Sequence, residues 1–388
     1  MKRLAYLRRI GIFPAVALLL ITAHLSVAHS SAESHKSIQD AALRLVQFCN
    51  DPKAGLDERD IATLVDYVLS SKNNTEHVLH ESRGCPGAYQ EFDMKSSFGR
   101  FMQYSYNARI PSTVTRPSSL RYSLWRDPQG KAQNLPDTWE HVPAGGAPVI
   151  LHGLQRDSNT PDLTTGVYYE YDLKRTLIRV NYKGRQAMLS VSKQIDKSNV
   201  GEKGLILGHD SDWNYYYSGE PGSAKSGLGW VKSYIYDYFS VTVHVESGAT
   251  PVRLRTGVFQ WIRAGWSGIN FVKPSHIISG LERFARNNRI VLESPHLPAP
   301  NQMIAVYQGL SNLPEVELMS KYKVLQQARG ALAIRSGKIS TVKASEPFSF
   351  ARTSKEQMLE ELMLEYLKGM LRKPTPFGKP LMDQISSL

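Results

Sequence analysis

The residues of this chain whose types and spacing could do chemistry are concentrated in one loop, over positions 204–230. An apolar segment breaks at Gly208, and His209, Asp210 and Asp212 follow it directly. Glycoside hydrolysis uses two carboxyl groups held about 5–9.5 Å apart on either side of a sugar. Asp210 and Asp212 are therefore candidate catalytic residues, and the sequence permits a glycosidase-like hydrolase.

The same D-x-D spacing is a fragment of a calcium-binding loop, because Ca²⁺ prefers several oxygen ligands. His209 or Glu220 would have to complete the set, and the residues around the pair depart from the EF-hand pattern. The sequence contains no P-loop, G-x-G-x-x-G, H-E-x-x-H or C-x-x-C motif. We therefore expect no metal and no cofactor, with Ca²⁺ at Asp210 and Asp212 as the alternative.

Aromatic residues in and after this loop indicate a third function, a platform on which a sugar or another flat ligand stacks. A second aromatic cluster lies among glycines at positions 257–268. The alternative is that these rings pack beneath a neighbouring helix, as tyrosines on strands commonly do. The candidate ligand-binding residues are Trp213, Tyr215, Tyr217, Tyr234, Tyr236, Tyr238, Trp261 and Trp266.

The first 28 residues have the pattern of a secretory signal peptide. A basic segment precedes an apolar run from Ile12 to Leu25, and Ser26-Val27-Ala28 matches the small-x-small cleavage pattern. We therefore expect an exported protein, periplasmic or extracellular, with no transmembrane span after the cleavage point. The alternative is that the segment stays as an anchor, although Pro14 and His24 interrupt the apolar run.

The chain contains two cysteines, Cys49 and Cys85. An even number of cysteines in an exported protein favours a disulfide. We expect a Cys49–Cys85 disulfide that stabilises a small helical N-terminal unit.

The formal net charge is +12, and no run of five or more basic residues concentrates it. A dispersed basic surface on an exported protein fits a polysaccharide or an envelope protein as partner, and we expect no nucleic-acid partner.

Periodicity predicts the elements that would position these residues. Apolar residues at helical spacing predict helices over 36–50 and Asp57–Ser71, and a wide apolar stripe predicts another from Ser354 to Leu371. Runs rich in β-branched and aromatic residues predict strands, of which the clearest are Val167–Asp172, Thr176–Tyr182, Gln186–Lys193 and Val231–Glu246. A turn at Leu173–Arg175 is predicted to separate the first two of them.

The predicted fold is therefore α+β, with a mainly antiparallel β domain, a small helical N-terminal unit and a helical C-terminal segment. The predicted boundaries are 1–28 for the signal peptide, 33–92 for the N-terminal unit, 93–312 for the β-rich domain and 313–388 for the C-terminal segment.

These observations favour a non-catalytic binding module of the cell envelope, with a saccharide or an envelope protein as its ligand. Two alternatives stay open. One is a hydrolase that uses carboxylates of the 209–220 loop, and the other is an assembly protein that uses its C-terminal amphipathic helix.

Overall fold

A computed structural model describes residues 36–72, 74–127, 129, 146–225, 229–247, 252–339 and 353–376. The predicted signal peptide lies outside these residues. Within them, no helix is both long and apolar enough to cross a membrane.

Nine strands form one antiparallel sheet, in which eight follow the order β1-β2-β13-β12-β7-β6-β4-β3 and β14 pairs with the end of β13. Three further strands form a small sheet in the order β5-β8-β9, and β10 and β11 form a hairpin. The strands are β1 (Glu76–Ser82), β2 (Cys85–Met94), β3 (Leu120–Arg126), β4 (Val149–Asn159), β5 (Val167–Tyr168), β6 (Glu170–Tyr182), β7 (Arg185–Gln194), β8 (Glu202–Ile206), β9 (Tyr215–Pro221), β10 (Ser223–Lys225), β11 (Gly229–Val231), β12 (Ser233–Glu246), β13 (Leu254–Trp266) and β14 (Ile269–Asn270).

Seven helices are found in the described ranges, and they cover both faces of the main sheet. Two N-terminal helices pack on one face, and five later helices cover the other. The helices are α1 (36–50), α2 (Glu58–Ser70), α3 (Phe98–Ser105), α4 (Pro274–Leu292), α5 (Pro300–Asn312), α6 (Glu315–Arg335) and α7 (Lys355–Met370). The predicted α+β class with a mainly antiparallel sheet is confirmed.

The two faces of the central strands differ in polarity. Toward α1 and α2, strands β7 and β12 present apolar side chains such as Leu189, Val191 and Val243, which lie in one core cluster. Alternate residues of the same strands point to the opposite face and include Ser192 and His244, both buried. A polar surface is therefore buried between the sheet and the second layer of helices.

The predicted disulfide between Cys49 and Cys85 is wrong, because both are buried free thiols. Cys49 Sγ lies 3.5 Å from the carbonyl oxygen of Lys174 on β6 and 3.6 Å from that of Val191 on β7. Cys85 begins β2, and β13 and β12 separate that strand from β7. Three strand spacings amount to roughly 14 Å, whereas a disulfide requires Cα atoms within about 7 Å.

Two features of the sheet depart from the predicted elements. Residues 76–94, expected in a helical unit, form the edge hairpin of β1 and β2. Strand β6 runs without interruption through Leu173, Lys174 and Arg175, where a turn was expected. The predicted domain boundaries stay a prediction.

Helix α7 lies in the interior of the chain, since every residue from 357 to 368 is buried. Its apolar side chains join the core formed by α4, α5 and α6. Its charged side forms ion pairs with Arg121 and Arg329 through Glu361. The apolar stripe expected for a partner is therefore covered by the chain itself.

Candidate functional site

A cavity of about 330 Å³ lies between the polar face of the main sheet and helix α4. Strands β6, β7, β12 and β13 form its floor, and the segment before β3 and the end of β4 form one wall. The polar residues and the glycine that line it are Arg116, Ser118, Ser119, Asp157, Asn159, Thr160, Asp162, Tyr171, Arg175, Ser192, Tyr238, Ser240, Thr242, His244, Gln260, Gly280 and Arg283. This volume falls at the lower end of the roughly 300–1,000 Å³ range of small-molecule sites.

Arg175 carries a positive charge into this cavity from the middle of β6, and only 8% of the residue is exposed. Its Nη1 donates to Ser192 Oγ at 2.9 Å and its Nη2 to Ser190 Oγ at 2.5 Å. Its Nε has no hydrogen-bond partner within the described chain. Both partners are neutral hydroxyls, and no described carboxylate is paired with Arg175. Its charge is therefore uncompensated by direct contact.

His244, on β12, is 2% exposed, and its Nδ1 lies 2.8 Å from Thr256 Oγ1. Its ring packs 4.3 Å from the ring of Phe101, measured between centroids. Burial lowers the pKa of His244 well below its usual value, and the charges of Arg116 and Arg175 lower it further. The imidazole is therefore neutral at physiological pH, and it adds polarity to the cavity without charge.

Asp157, on β4, is the buried carboxylate of the cavity, and Gln155 Nε2 donates to its Oδ1 at 2.6 Å. Burial raises the pKa of Asp157, while the hydrogen bond from Gln155 and the charge of Arg175 oppose that rise. Asp157 therefore offers the cavity a hydrogen-bonding carboxyl group near Arg175 and Arg116.

Two tyrosines give the cavity aromatic surface. Tyr171 on β6 and Tyr238 on β12 have ring centroids 6.1 Å apart, and the hydroxyl of Tyr238 lies 3.0 Å from Ser240 Oγ. A ring with a polar hydroxyl can contact both the apolar face and the hydroxyl groups of a sugar.

The cavity reaches the surface at α4, where Gly280 is exposed. A Cβ atom at Gly280 would have no other atom within 4 Å. Near this mouth, Arg283 donates from Nη2 to Asp210 Oδ1 at 2.6 Å and from Nη1 to the carbonyl oxygen of Pro161 at 3.1 Å. Asp210 therefore fixes the 209–217 segment to the rim of the cavity.

The two candidate catalytic aspartates have different surroundings. Asp210 accepts hydrogen bonds from Arg283 and, at 3.4 Å, from Arg286, so its charge is compensated. Asp212 accepts from the backbone nitrogen of His209 at 3.2 Å and so caps its own short helical turn. Across the described ranges, no group of three or more His, Cys, Asp or Glu side chains is arranged to hold a metal ion.

Four of the eight candidate aromatic residues are buried, namely Trp213, Tyr215, Tyr217 and Trp261. Trp213 donates from Nε1 to Asn287 Oδ1 at 2.7 Å, and Trp261 donates from Nε1 to the carbonyl oxygen of His80 at 3.1 Å. These rings have no face exposed to solvent. Trp213 thereby contacts helix α4, and Trp261 contacts strand β1.

The other four, Tyr234, Tyr236, Tyr238 and Trp266, are half-buried, and of these only Tyr238 lines the cavity. A bulge between Ile235 and Asp237 shifts the alternation of β12, so that Ile235 and Tyr238 face the cavity together. Trp266 stacks on Phe271 at 3.8 Å beyond that bulge. The predicted tyrosine platform is therefore not one continuous surface.

Sequence reasoning missed Arg116, Asp157 and Arg175. Leu173, Arg175 and Leu177 occupy alternate positions of β6 and therefore face the same side of the strand. A charged residue between two leucines on one face was the signal available for Arg175. An arginine at such a position is either at the edge of a surface or in a polar interior. Arg116 lies in an irregular segment and gave no comparable signal.

Compared with models of protein families and with curated proteins, the sequence matches none of them.

Proposed function

We propose that this protein is an exported, non-catalytic binding protein of the cell envelope, which holds a saccharide in the cavity beneath α4. The observation that carries the proposal is the cavity of about 330 Å³, whose lining combines hydroxyl groups and two tyrosine rings with apolar side chains such as Leu173 and Ile235. Saccharide ligands require many polar partners together with flat apolar surface.

The small volume of the cavity supports a monosaccharide as the ligand. The exposed position of Gly280 supports entry from the side of α4. The location at the cell envelope is supported by the N-terminal sequence pattern alone.

The partners of the carboxylates support binding rather than hydrolysis. Hydrolysis of a glycoside needs one free acid and a second carboxylate within reach of the sugar. Asp210 is paired with Arg283, and Asp162 accepts the backbone nitrogens of Thr164 and Thr165 within its own turn. Among the described residues that line the cavity, no second free carboxylate is present to act together with Asp157.

Isothermal titration calorimetry tests the proposal with D-galactose, D-galacturonate, D-glucose and D-glucuronate. Gly280→Trp places a large ring at the mouth of the cavity. Gly99→Trp is the matched control, because Gly99 is an exposed helical glycine on α3, away from the cavity, and also has open space around its Cβ position.

We expect at least one of the four sugars to bind the wild type and Gly99→Trp equally, and Gly280→Trp at least tenfold more weakly. If none of them binds the wild type, the proposal is wrong. Equal binding to both tryptophan variants would place the ligand outside the cavity and would also contradict it.

A further inference from the structure

We propose that the cavity contains an anion subsite, in which Arg116 and Arg175 bind the carboxylate of an acidic monosaccharide. The inference rests on the proposed function and adds to it the chemical class of the ligand, a uronic acid rather than a neutral sugar.

The first support is the unmet hydrogen-bonding capacity of Arg175. Its two terminal nitrogens are bonded to serine hydroxyls on β7, which fixes the plane of the guanidinium group. Its Nε is buried and has no partner within the described chain. A buried donor without an acceptor is costly, and a ligand carboxylate would supply that acceptor together with the opposite charge.

The second support is the position of Arg116. Its charge influences the pKa of Asp157, Tyr171, Tyr238 and His244, which belong to strands β4, β6 and β12. Arg116 itself lines the cavity, on the wall formed by the segment before β3. Arg116 is half-buried, and among the described residues it takes part in no ion pair, so its guanidinium group is available to a ligand.

The third support is the pairing of charges along the cavity wall. Arg283 is paired with Asp210, and Asp162 is held by backbone nitrogens in its own turn. Asp157 accepts a hydrogen bond from Gln155, so neither carboxylate of the lining forms an ion pair with Arg116 or Arg175 in the described chain. A ligand carboxylate would give these guanidinium groups a direct partner of opposite charge.

The remaining wall explains why the anion would belong to a sugar. Ser240, Thr242 and Gln260 line the same cavity and offer hydroxyl and amide groups. A small inorganic anion would contact the arginines alone and would make no use of these groups. An acidic sugar would use the arginines for its carboxylate and the floor of the cavity for its ring hydroxyls.

The experiment compares matched ligands that differ only at C6, where D-galacturonate carries a carboxylate and D-galactose a hydroxymethyl group. Calorimetric affinities for both are measured on the wild type, Arg116→Gln and Arg109→Gln. Arg109 is exposed and does not line the cavity, so its variant removes the same charge from the surface. D-glucuronate and D-glucose provide a second matched pair.

We expect the wild type and Arg109→Gln to prefer the acid over the neutral sugar at least tenfold in one of the pairs, because charge-assisted hydrogen bonds are stronger than neutral ones. Arg116→Gln should lose most of that preference while its affinity for the neutral sugar changes little. If acid and neutral sugar bind the wild type equally, the inference is wrong and the proposed function stands. An acid preference that survives in Arg116→Gln also overturns it, and failure of all four sugars to bind removes both proposals.

Discussion

Two adjacent glutamates on α7 have opposite pKa shifts because different groups face them. Burial would raise the pKa of Glu361, but the guanidinium groups of Arg121 and Arg329 hold it at about 2. Burial raises the pKa of Glu360 to about 8, and the backbone nitrogen of Ser123, which donates to its Oε1 at 3.1 Å, compensates only in part. Glu360 is therefore mostly protonated at neutral pH, while Glu361 is charged.

Glu360→Gln should change how stability depends on pH. Because the folded-state pKa of about 8 exceeds the ordinary value of 4.5, the folded wild type binds the proton more tightly than the unfolded chain. The free energy of unfolding of the wild type should fall as pH rises from about 4.5 to 8, by up to about 1.4 kcal/mol for each pH unit. The variant removes this contribution, so it should match the wild type near pH 4.5 and exceed it by a few kcal/mol above pH 8.

Urea unfolding of both proteins at several pH values between 4.5 and 8.5 measures this difference. Glu356→Gln, an exposed position on the same helix, is the control and should follow the wild type. A difference between Glu360→Gln and the wild type that stays constant over this range would contradict the protonation state assigned to Glu360.

The two cysteines give a second prediction at the scale of single residues. Burial raises the pKa of Cys49, and it raises that of Cys85 to about 11, so neither thiol is reactive in the folded chain. A thiol assay with Ellman's reagent, without reductant, should detect two thiols per chain after denaturation and almost none before it. A count of zero in the denatured chain would indicate the disulfide that the fold excludes.

At the scale of elements, α7 is held in the interior by a buried ionic network. Glu361 accepts from Arg121 Nε at 2.8 Å and also pairs with Arg329. Glu365 pairs with Arg329 at 3.2 Å and with Lys368 at 2.7 Å. These five side chains are all buried. Removing one partner leaves buried charge without compensation, which is more costly than the loss of a surface ion pair.

Glu361→Gln should therefore lower the free energy of unfolding by about 3 kcal/mol or more at pH 7. Urea unfolding measures the loss, and Glu356→Gln should stay within about 0.5 kcal/mol of the wild type. A loss from Glu361→Gln as small as that of the control would mean that the network contributes little to the docking of α7.

The elements that the sequence predicts well are those with strong periodicity. Helices α1, α2 and α7 and strands β7 and β12 lie within two residues of their predicted bounds. The hairpin of β1 and β2 was missed because β1 is an edge strand with mostly exposed residues, which leaves little apolar alternation. The turn expected at Leu173–Arg175 was wrong because Arg175 is bonded inside the sheet, where two serines compensate its polarity.

At the scale of the whole molecule, the candidate site depends on where distant segments meet. Arg116, Asp157, Arg175, His244 and Gly280 come from five different segments and line one cavity. The sequence indicated Tyr238 and the polar side of β12. It could not indicate the cavity, because the bulge in β12 and the order of the strands decide which side chains converge.

The most direct test of the proposed sugar site is a crystal structure of the protein with D-galacturonate. We expect density for one sugar inside the cavity beneath α4, with its carboxylate within hydrogen-bond distance of Arg116 and of Arg175 Nε, and its ring beside Tyr238. Density for the sugar only at the protein surface, or a cavity filled by water in crystals whose protein binds the sugar in solution, would contradict it.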